Sequence, residues 1–104
     1  MELKNINTFV RVAELNSFTK AANELGYSQS TVTIQIKQLE NELNFPLFDR
    51  IGKNVSLTQR GEDFLMYANE FLRLEAQALS LKGGADAVSG TLRLGVLSRF
   101  LYGG

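Results

Sequence analysis

Apolar residues recur at helical spacing in three successive segments near the start of the chain. The spacing predicts helices over about residues 2–15, 18–25 and 28–44. The apolar positions are, in chain order, Leu3, Ile6, Phe9, Val10 and Ala13, then Phe18, Ala21, Ala22 and Leu25, then Val32, Ile36, Leu39 and Leu43. Ser17 and Ser28 can cap the second and third helices, and Gly26 suits the turn between them. Two amphipathic helices joined by a tight turn are typical of a helix-turn-helix.

The segment after the third helix predicts a small β-hairpin and then a long helix. Pro46 disfavours helical geometry at the residue before it, which ends the third helix. The run LFDRIGKNVSLT has β-branched residues on both sides of a turn centred on Lys53, and it predicts two strands of about four residues each. We call this hairpin the wing. Thr58 can cap a helix that continues to about Lys82.

These elements predict a mostly α fold, a winged helix-turn-helix of three helices and a small β-hairpin wing, followed by a long dimerisation helix. The expected organisation is a DNA-binding domain over residues 1–58, a linker helix over 59–84, and a linker with one strand over 85–104. The last segment begins with small polar residues and continues as TLRLGVL, which alternates as a strand does.

One side of the third helix carries polar side chains that can bind nucleic acid. At 100° per residue, an arc of about 100° separate from the apolar face holds Gln29, Ser30, Thr33 and Lys37. None of these is acidic, and side chains of these types hydrogen-bond to base edges or phosphates. Because the positive end of the helix dipole lies at the same end, the pattern predicts a helix that enters a major groove. The alternative is an ordinary solvated helix face.

Two cations flank the turn of the wing, Arg50 and Lys53. The wing directly follows the third helix, so both cations could contact phosphates beside the groove. Lys53 lies at the turn and is expected to be free for DNA. Arg50 could instead form a structural ion pair with Glu40 or Glu42, and the sequence leaves both possibilities open.

The long helix is apolar around most of its circumference. One face holds Phe64, Leu65, Ala68, Phe71, Leu72, Ala76 and Leu79, and a second line spaced by seven holds Tyr67, Leu74 and Leu81. A small three-helix domain cannot cover so broad an apolar arc, so the pattern predicts association with a second helix. The alternative is a helix buried in its own domain's core.

Composition restricts the chemistry of the chain. Its 104 residues suffice for one compact domain, and they include neither cysteine nor histidine. Thiolate nucleophiles, imidazole catalysis and His/Cys zinc sites are therefore excluded, and we expect no enzyme activity, no cofactor and no metal. No apolar run approaches the ~18 residues that span a bilayer, so we expect a cytoplasmic protein without a membrane partner.

Net charge favours a competing hypothesis. Eleven basic residues balance eleven acidic ones, whereas nucleic-acid-binding domains are commonly basic. The competitor is a winged-helix module for protein interaction or dimerisation that reads no DNA sequence. The leading hypothesis is a sequence-specific DNA-binding transcriptional regulator, because cationic and polar side chains gather on the third helix and the wing.

The chain from Leu3 to about Leu65 resembles the N-terminal winged helix-turn-helix of LysR-type transcriptional regulators. The matching pieces are SFTKAA, SQSTVTIQIKQLE, the LFDR run with Lys53, Val55 and Leu57-Thr58, and Gly61 in the next turn. Asn16 stands where the family usually has glycine, and Ile34 where a basic or polar residue is common.

The resemblance implies a bacterial, nucleoid-associated regulator that binds double-stranded promoter DNA as a homodimer, with tetramers in the full-length protein. Each recognition helix would enter a major groove at a half-site, while two long helices pair antiparallel. The family's base-reading positions fall on Gln29, Ser30, Thr33 and Ile34, with Ile34 placed to touch a thymine methyl group. Its phosphate contacts fall on Lys37, Arg50 and Lys53.

Full-length members of that family carry a two-lobed small-molecule-binding domain after the long helix. TLRLGVLSRF looks like its first strand and turn, so we expect this chain to be a fragment that binds no effector by itself. The resemblance implies that Ser98 contributes to the effector pocket of a full-length member. The alternative is that Ser98 makes only a local backbone hydrogen bond.

Overall fold

The computed structural model describes residues 1–51 and 54–83. Along the chain lie α1 (Leu3–Leu15), α2 (Phe18–Leu25), α3 (Gln29–Leu43), β1 (Phe48–Ile51), β2 (Asn54–Leu57), α4 (Gln59–Leu79) and a 3-10 turn (Ser80–Gly83). This order confirms the predicted mostly α winged helix-turn-helix followed by a long helix. The predicted linker and strand at the end of the chain lie outside the described residues.

Serine side chains cap the two helices of the helix-turn-helix, as predicted. Ser17 Oγ accepts a hydrogen bond from the backbone N–H of Lys20 at 3.0 Å, and Ser28 Oγ accepts one from that of Thr31 at 3.1 Å. Each bond satisfies a backbone donor that a helix start leaves without an intrahelical partner. Gly26 ends α2 at φ 75°, so the turn between α2 and α3 is tight.

Asparagine ends both of the other N-terminal helices. Asn16 follows α1 at φ 52°, and Asn44 follows α3 at φ 66°. Their backbone N–H groups donate to the carbonyl oxygens of Val12 and Glu40, at 2.7 Å each. Asparagine tolerates the left-handed region better than most residues with a side chain. Both helices therefore stop without glycine.

Phenylalanine rings join the core of the helical bundle to the wing. Phe9 is fully buried, and its ring centroid lies 5.4 Å from that of Phe48 on β1 and 5.3 Å from that of Phe64 on α4. The Phe18 ring meets Phe48 edge-on at 5.7 Å. The remaining buried apolar residues are Ile6, Val10, Val12, Ala21, Ala22, Val32, Ile36, Leu39, Leu47 and Ala68. One continuous core thus holds α1 to α3, the base of the wing and the first half of α4.

The wing is a two-stranded antiparallel hairpin in which Phe48 pairs with Leu57 and Arg50 with Val55. Leu47, at its base, is fully buried and holds three elements together. Its backbone N–H donates to the Glu40 carboxylate at 2.7 Å, and its carbonyl oxygen accepts from Thr58 N–H at 2.9 Å. α3, the wing and the start of α4 are therefore hydrogen-bonded through one residue.

The first half of α4 belongs to the domain core, which corrects part of the predicted dimerisation surface. Phe64 and Ala68 are buried, while Leu65 and Leu72 are partly buried against the same core. Phe64 packs against Phe9 of α1. Phe64 is only 6 % exposed and Ala68 0 %, so both leave little surface for a second chain. Met1–Leu72 forms one compact unit, and a second begins at Arg73. None of the described helices is long and apolar enough to cross a membrane.

Candidate nucleic-acid interface

The N-terminal half of α3 presents the predicted base-reading side chains to solvent. Gln29, Ser30 and Ile34 are exposed, Ile34 at 57 %, and Thr33 is half-buried. Lys37 follows one turn after Thr33 and is also exposed. These five residues contain no acid, and the positive end of the α3 dipole lies among them. The structure thus brings together all of the predicted α3 contacts on one surface.

A residue of α2 contacts this surface and was not identified from the sequence. Thr19 Oγ1 donates a hydrogen bond to Gln29 Oε1 at 3.2 Å. The contact spans the turn between the helices, so no regular sequence spacing signals it. A Gln29 amide whose oxygen is engaged in this way keeps its N–H donors for a ligand.

Arg50 stacks on the core rather than pairing with an acid. Its guanidinium carbon lies 4.1 Å from the centroid of the Phe18 ring, within cation–π range. Within residues 1–51 and 54–83, no ion pair involves Arg50. The two candidate partners are occupied elsewhere, Glu40 by Leu47 N–H and Glu42 by the Met1 amino group at 3.2 Å. The structural ion pair considered for Arg50 is therefore absent from the described part of the chain.

A groove between α3 and the wing gathers the cationic side chains. Its lining includes Thr33, Lys37 and Glu40 from α3, Phe18 from α2, and Phe48 and Arg50 from the wing. The stacking on Phe18 orients the Arg50 plane while leaving its N–H donors available. A phosphate in this groove would meet Lys37, Arg50 and the Thr33 hydroxyl, and also Glu40, whose carboxylate accepts a hydrogen bond from Leu47 N–H.

Two predicted site residues, Lys53 and Ser98, lie outside the described residues.

Large apolar side chains remain exposed on α4. In the first compact unit these are Met66, Tyr67 and Phe71, of which Tyr67 is 66 % and Phe71 42 % exposed. In the second unit Leu74 and Leu79 of α4 are exposed, as is Leu81 of the 3-10 turn that follows it. Of the predicted dimerisation residues, Phe71 and Leu79 are thus available to a partner, and Leu65 and Leu72 are available in part.

Residues 3–62 match the family model described as a bacterial regulatory helix-turn-helix protein, lysR family. An uncharacterized HTH-type transcriptional regulator of Bacillus subtilis (strain 168), YwqM, is 43% identical over 95 residues, which are 91% of this chain and 32% of that protein. The HTH-type transcriptional regulator BudR of Raoultella terrigena is 42% identical over 99 residues, 94% of this chain and 34% of its own. The chain therefore spans about a third of the length of these relatives.

Solved structures show the same architecture. The BenM_DBD/catB site 1 DNA complex matches at a TM-score of 0.75 and 38% identity, covering 80% of this chain and 93% of that one. Full-length CbnR complexed with its target DNA matches at 0.75 and 32% identity, covering 82% of this chain and 30% of that one.

Proposed function

Because the chain belongs to the lysR family of bacterial regulatory helix-turn-helix proteins, we propose that it is the DNA-binding and dimerisation part of a transcriptional regulator. The main observation in support of this proposal is the exposed surface on the first half of α3, which contains no acidic residue and lies beside the groove lined by Lys37 and Arg50. A surface of this composition fits the edges of bases and the phosphates that border them. The protein would act on promoter DNA in the bacterial cytoplasm.

We assign base reading to Gln29, Ser30, Thr33 and Ile34. Glutamine can bond the major-groove edge of adenine, the hydroxyls can donate to or accept from several bases, and an exposed isoleucine fits a thymine methyl group. With its N-terminus entering the groove, α3 would bring these residues to base edges first. Their position in the first two turns of the helix supports this geometry.

Phosphate contacts are assigned to Lys37, Arg50 and Lys53. Lys37 and Arg50 line one groove between the recognition helix and the wing, and neither has an acidic partner within residues 1–51 and 54–83. Cations at these positions would fix the depth and orientation of α3 without reading sequence. Two other cations of the domain lie against acids, Arg11 against Glu14 and Glu24 and Lys4 against Glu2. Zero net charge is thus compatible with a locally positive DNA surface.

The second half of the proposal is a homodimer, and the exposed apolar side chains of α4 support it. Phe71 and Tyr67 lie on the first unit's part of the helix, outside the domain core. A second copy of α4 would cover such side chains and place two recognition helices on successive half-sites. Tetramers would require the longer protein.

Selection of binding sites from a random duplex library, followed by titration at several salt concentrations, tests the proposal. We expect the selected duplex to bind ~10³-fold more tightly than a scrambled duplex of equal length. Affinity for both should fall steeply with salt, because bound phosphates release counterions. Arg50→Ala should weaken binding to both duplexes and reduce the salt slope by about one. Equal, salt-independent binding to both duplexes would contradict the proposal and favour the protein-interaction module.

A further inference from the structure

The back of α3 is joined to α1 by buried polar contacts that stability alone does not require. Thr8 is fully buried, Gln35 is 6 % exposed, and Thr8 Oγ1 donates to Gln35 Oε1 at 2.6 Å. One turn away from each, Asn5 Nδ2 donates to Gln38 Oε1 at 3.0 Å. Apolar residues of both helices, among them Phe9 and Ile36, lie in the same core.

Gln35 lies on the side of α3 opposite the proposed base-reading residues. At 100° per residue, Gln35 is about 180° around the helix from the middle of the arc between Gln29 and Ser30. The hydrogen bond from Thr8 therefore holds the helix from behind. Val32, Ile36 and Leu39 also face the core, but apolar burial is non-directional and resists a small rotation weakly. The polar bond is directional and is the contact that a rotation would break first.

A small rotation of α3 would matter for base reading. Side-chain ends lie about 5–6 Å from a helix axis, so a turn of about 20° displaces them by about 2 Å. Hydrogen-bond lengths vary over only about 0.5 Å, so that displacement would break a base contact. The orientation of Gln29 and Thr33 towards bases therefore depends on what fixes the rotation of the helix.

The polar contacts also carry a cost. Asn5 is 2 % exposed, and its Oδ1 has no hydrogen-bond partner within the described part of the chain. A buried polar atom without a partner is destabilising, and an apolar side chain of similar size would avoid that cost. Polar groups kept in a core in spite of such a cost are associated with a unique packing arrangement.

We propose that the Thr8–Gln35 hydrogen bond, supported by Asn5–Gln38, fixes the rotation of α3 about its axis, and that Thr8 and Gln35 are positioning residues for base discrimination. The inference rests on the proposed function, because it concerns how the same α3 surface selects its sequence. Thr8 and Gln35 touch no DNA themselves. They act on specificity, because Arg50 lies on the wing and the flexible four-carbon stem of Lys37 lets its ammonium group follow a small rotation of α3 and keep its phosphate contact.

The test is a double variant, Thr8→Val with Gln35→Met, in the whole chain. Both partners become apolar at similar volume, so neither is left as an unpaired buried group and the fold is retained. The measured quantity is the ratio of dissociation constants for a scrambled duplex and the duplex selected by wild type. We expect this ratio to fall about tenfold or more, or a repeated selection to yield a different sequence. Affinity for the scrambled duplex should stay unchanged.

Two single variants serve as controls. Thr8→Ser keeps the hydroxyl and should keep the wild-type ratio. Ile36→Val removes a buried methylene from the same helix without touching the bond, so it should lower the melting temperature and still keep the ratio. If Thr8 and Gln35 were merely structural, the ratio would instead follow the melting temperature across all variants, which would overturn the inference.

The outcomes separate the two proposals. A wild-type chain that does not discriminate between duplexes overturns the proposed function and this inference with it. Suppose that wild type discriminates between the duplexes, and that the double variant folds and keeps the wild-type ratio and sequence preference. This result overturns the inference and leaves the proposed function standing. If circular dichroism shows that the double variant has lost its helices, Thr8→Val is compared with Thr8→Ser. A lower ratio for Thr8→Val than for Thr8→Ser supports the inference, and equal ratios for the two variants overturn it.

Discussion

At the scale of single residues, Gln29 and Thr33 should determine which sequence is bound. Both lie on the acid-free surface of α3, and each can form hydrogen bonds with a base edge. Replacing either with alanine should cost ~1–3 kcal/mol on the selected duplex and little on a scrambled one, because base contacts carry the discrimination. Fluorescence anisotropy with both duplexes at one salt concentration measures the two free energies.

The control for these variants is Asn41→Ala, an exposed polar residue in the last turn of the same helix. It should change neither affinity, because the C-terminal end of α3 lies away from the residues proposed to read bases. Equal losses on both duplexes for Gln29→Ala and Thr33→Ala would show that these side chains contact phosphates or support the fold.

The backbone conformation of Asn16, a single residue, explains why the family usually has glycine at this position. Its φ of 52° places it in the left-handed region that favours glycine, which accounts for the glycine usual there. Asn16→Ala should lower the free energy of unfolding by ~1 kcal/mol, because alanine lacks asparagine's tolerance for this region. Asn16→Gly should match or exceed wild type. Thermal denaturation measures both, with Asn7→Ala on the exposed side of α1 as the control expected to be neutral. An unchanged melting temperature for Asn16→Ala would contradict the argument.

At the scale of elements, the sequence predicts most of the helices and the wing because local signals agree there. Ser17 and Ser28 are both caps in the structure, and most of the predicted apolar positions of α1 to α3 are buried. Leu3 is an exception at 40 % exposed, and the fully buried Val12 was not among the predicted positions. Contacts across elements were not predictable in this way. Thr8 and Gln35 are polar residues in helical segments, and nothing in their spacing indicates that they meet.

The spacing of apolar residues in the long helix does not predict which of them are buried. Its apolar residues surround most of the circumference, so the pattern alone does not say which of them cover the domain's own core. The structure assigns Phe64 and Ala68 to that core and leaves Tyr67 and Phe71 exposed. The prediction failed for Phe64 and Ala68 because it treated α4 as separate from the winged domain.

The attachment of α4 to the wing depends on Gly61. A Cβ on this residue would clash with the carbonyl oxygen of Leu47, a backbone atom that also accepts a hydrogen bond from Thr58 N–H. Gly61→Ala should therefore destabilise the domain by about 3 kcal/mol, because relief requires α4 to move away from the base of the wing. Urea denaturation measures the loss, and Glu62→Ala on the exposed side of the first turn is the matched control. A Gly61→Ala variant as stable as wild type would show that the junction adjusts freely.

At the scale of the whole molecule, the distribution of charge matters more than its sum. Ion pairs neutralise cations away from α3, at Lys4 with Glu2 and at Arg11 with two glutamates. Lys37 and Arg50, in contrast, border the groove beside α3. A chain without net charge thereby keeps a surface suited to the phosphate backbone of DNA. Because the long-range attraction between such a chain and DNA is weak, selectivity depends more on close contacts.

The proposed dimer can be tested by a substitution among the exposed apolar side chains of α4. Phe71→Glu should convert a dimer into folded monomers, because it places a charge among exposed apolar side chains while Phe64 and Ala68 keep the winged domain attached. Asn69→Glu adds the same charge at an exposed polar position of α4 and should leave the dimer intact. Light scattering at tens of micromolar and circular dichroism measure mass and helix content together. On DNA, the Phe71→Glu monomer should bind a duplex with two half-sites no more tightly than a duplex with one, because linked recognition helices gain affinity from binding in tandem. A wild-type chain that is monomeric at this concentration, or a Phe71→Glu variant that remains dimeric, would show that the exposed side chains of α4 do not form the dimer interface.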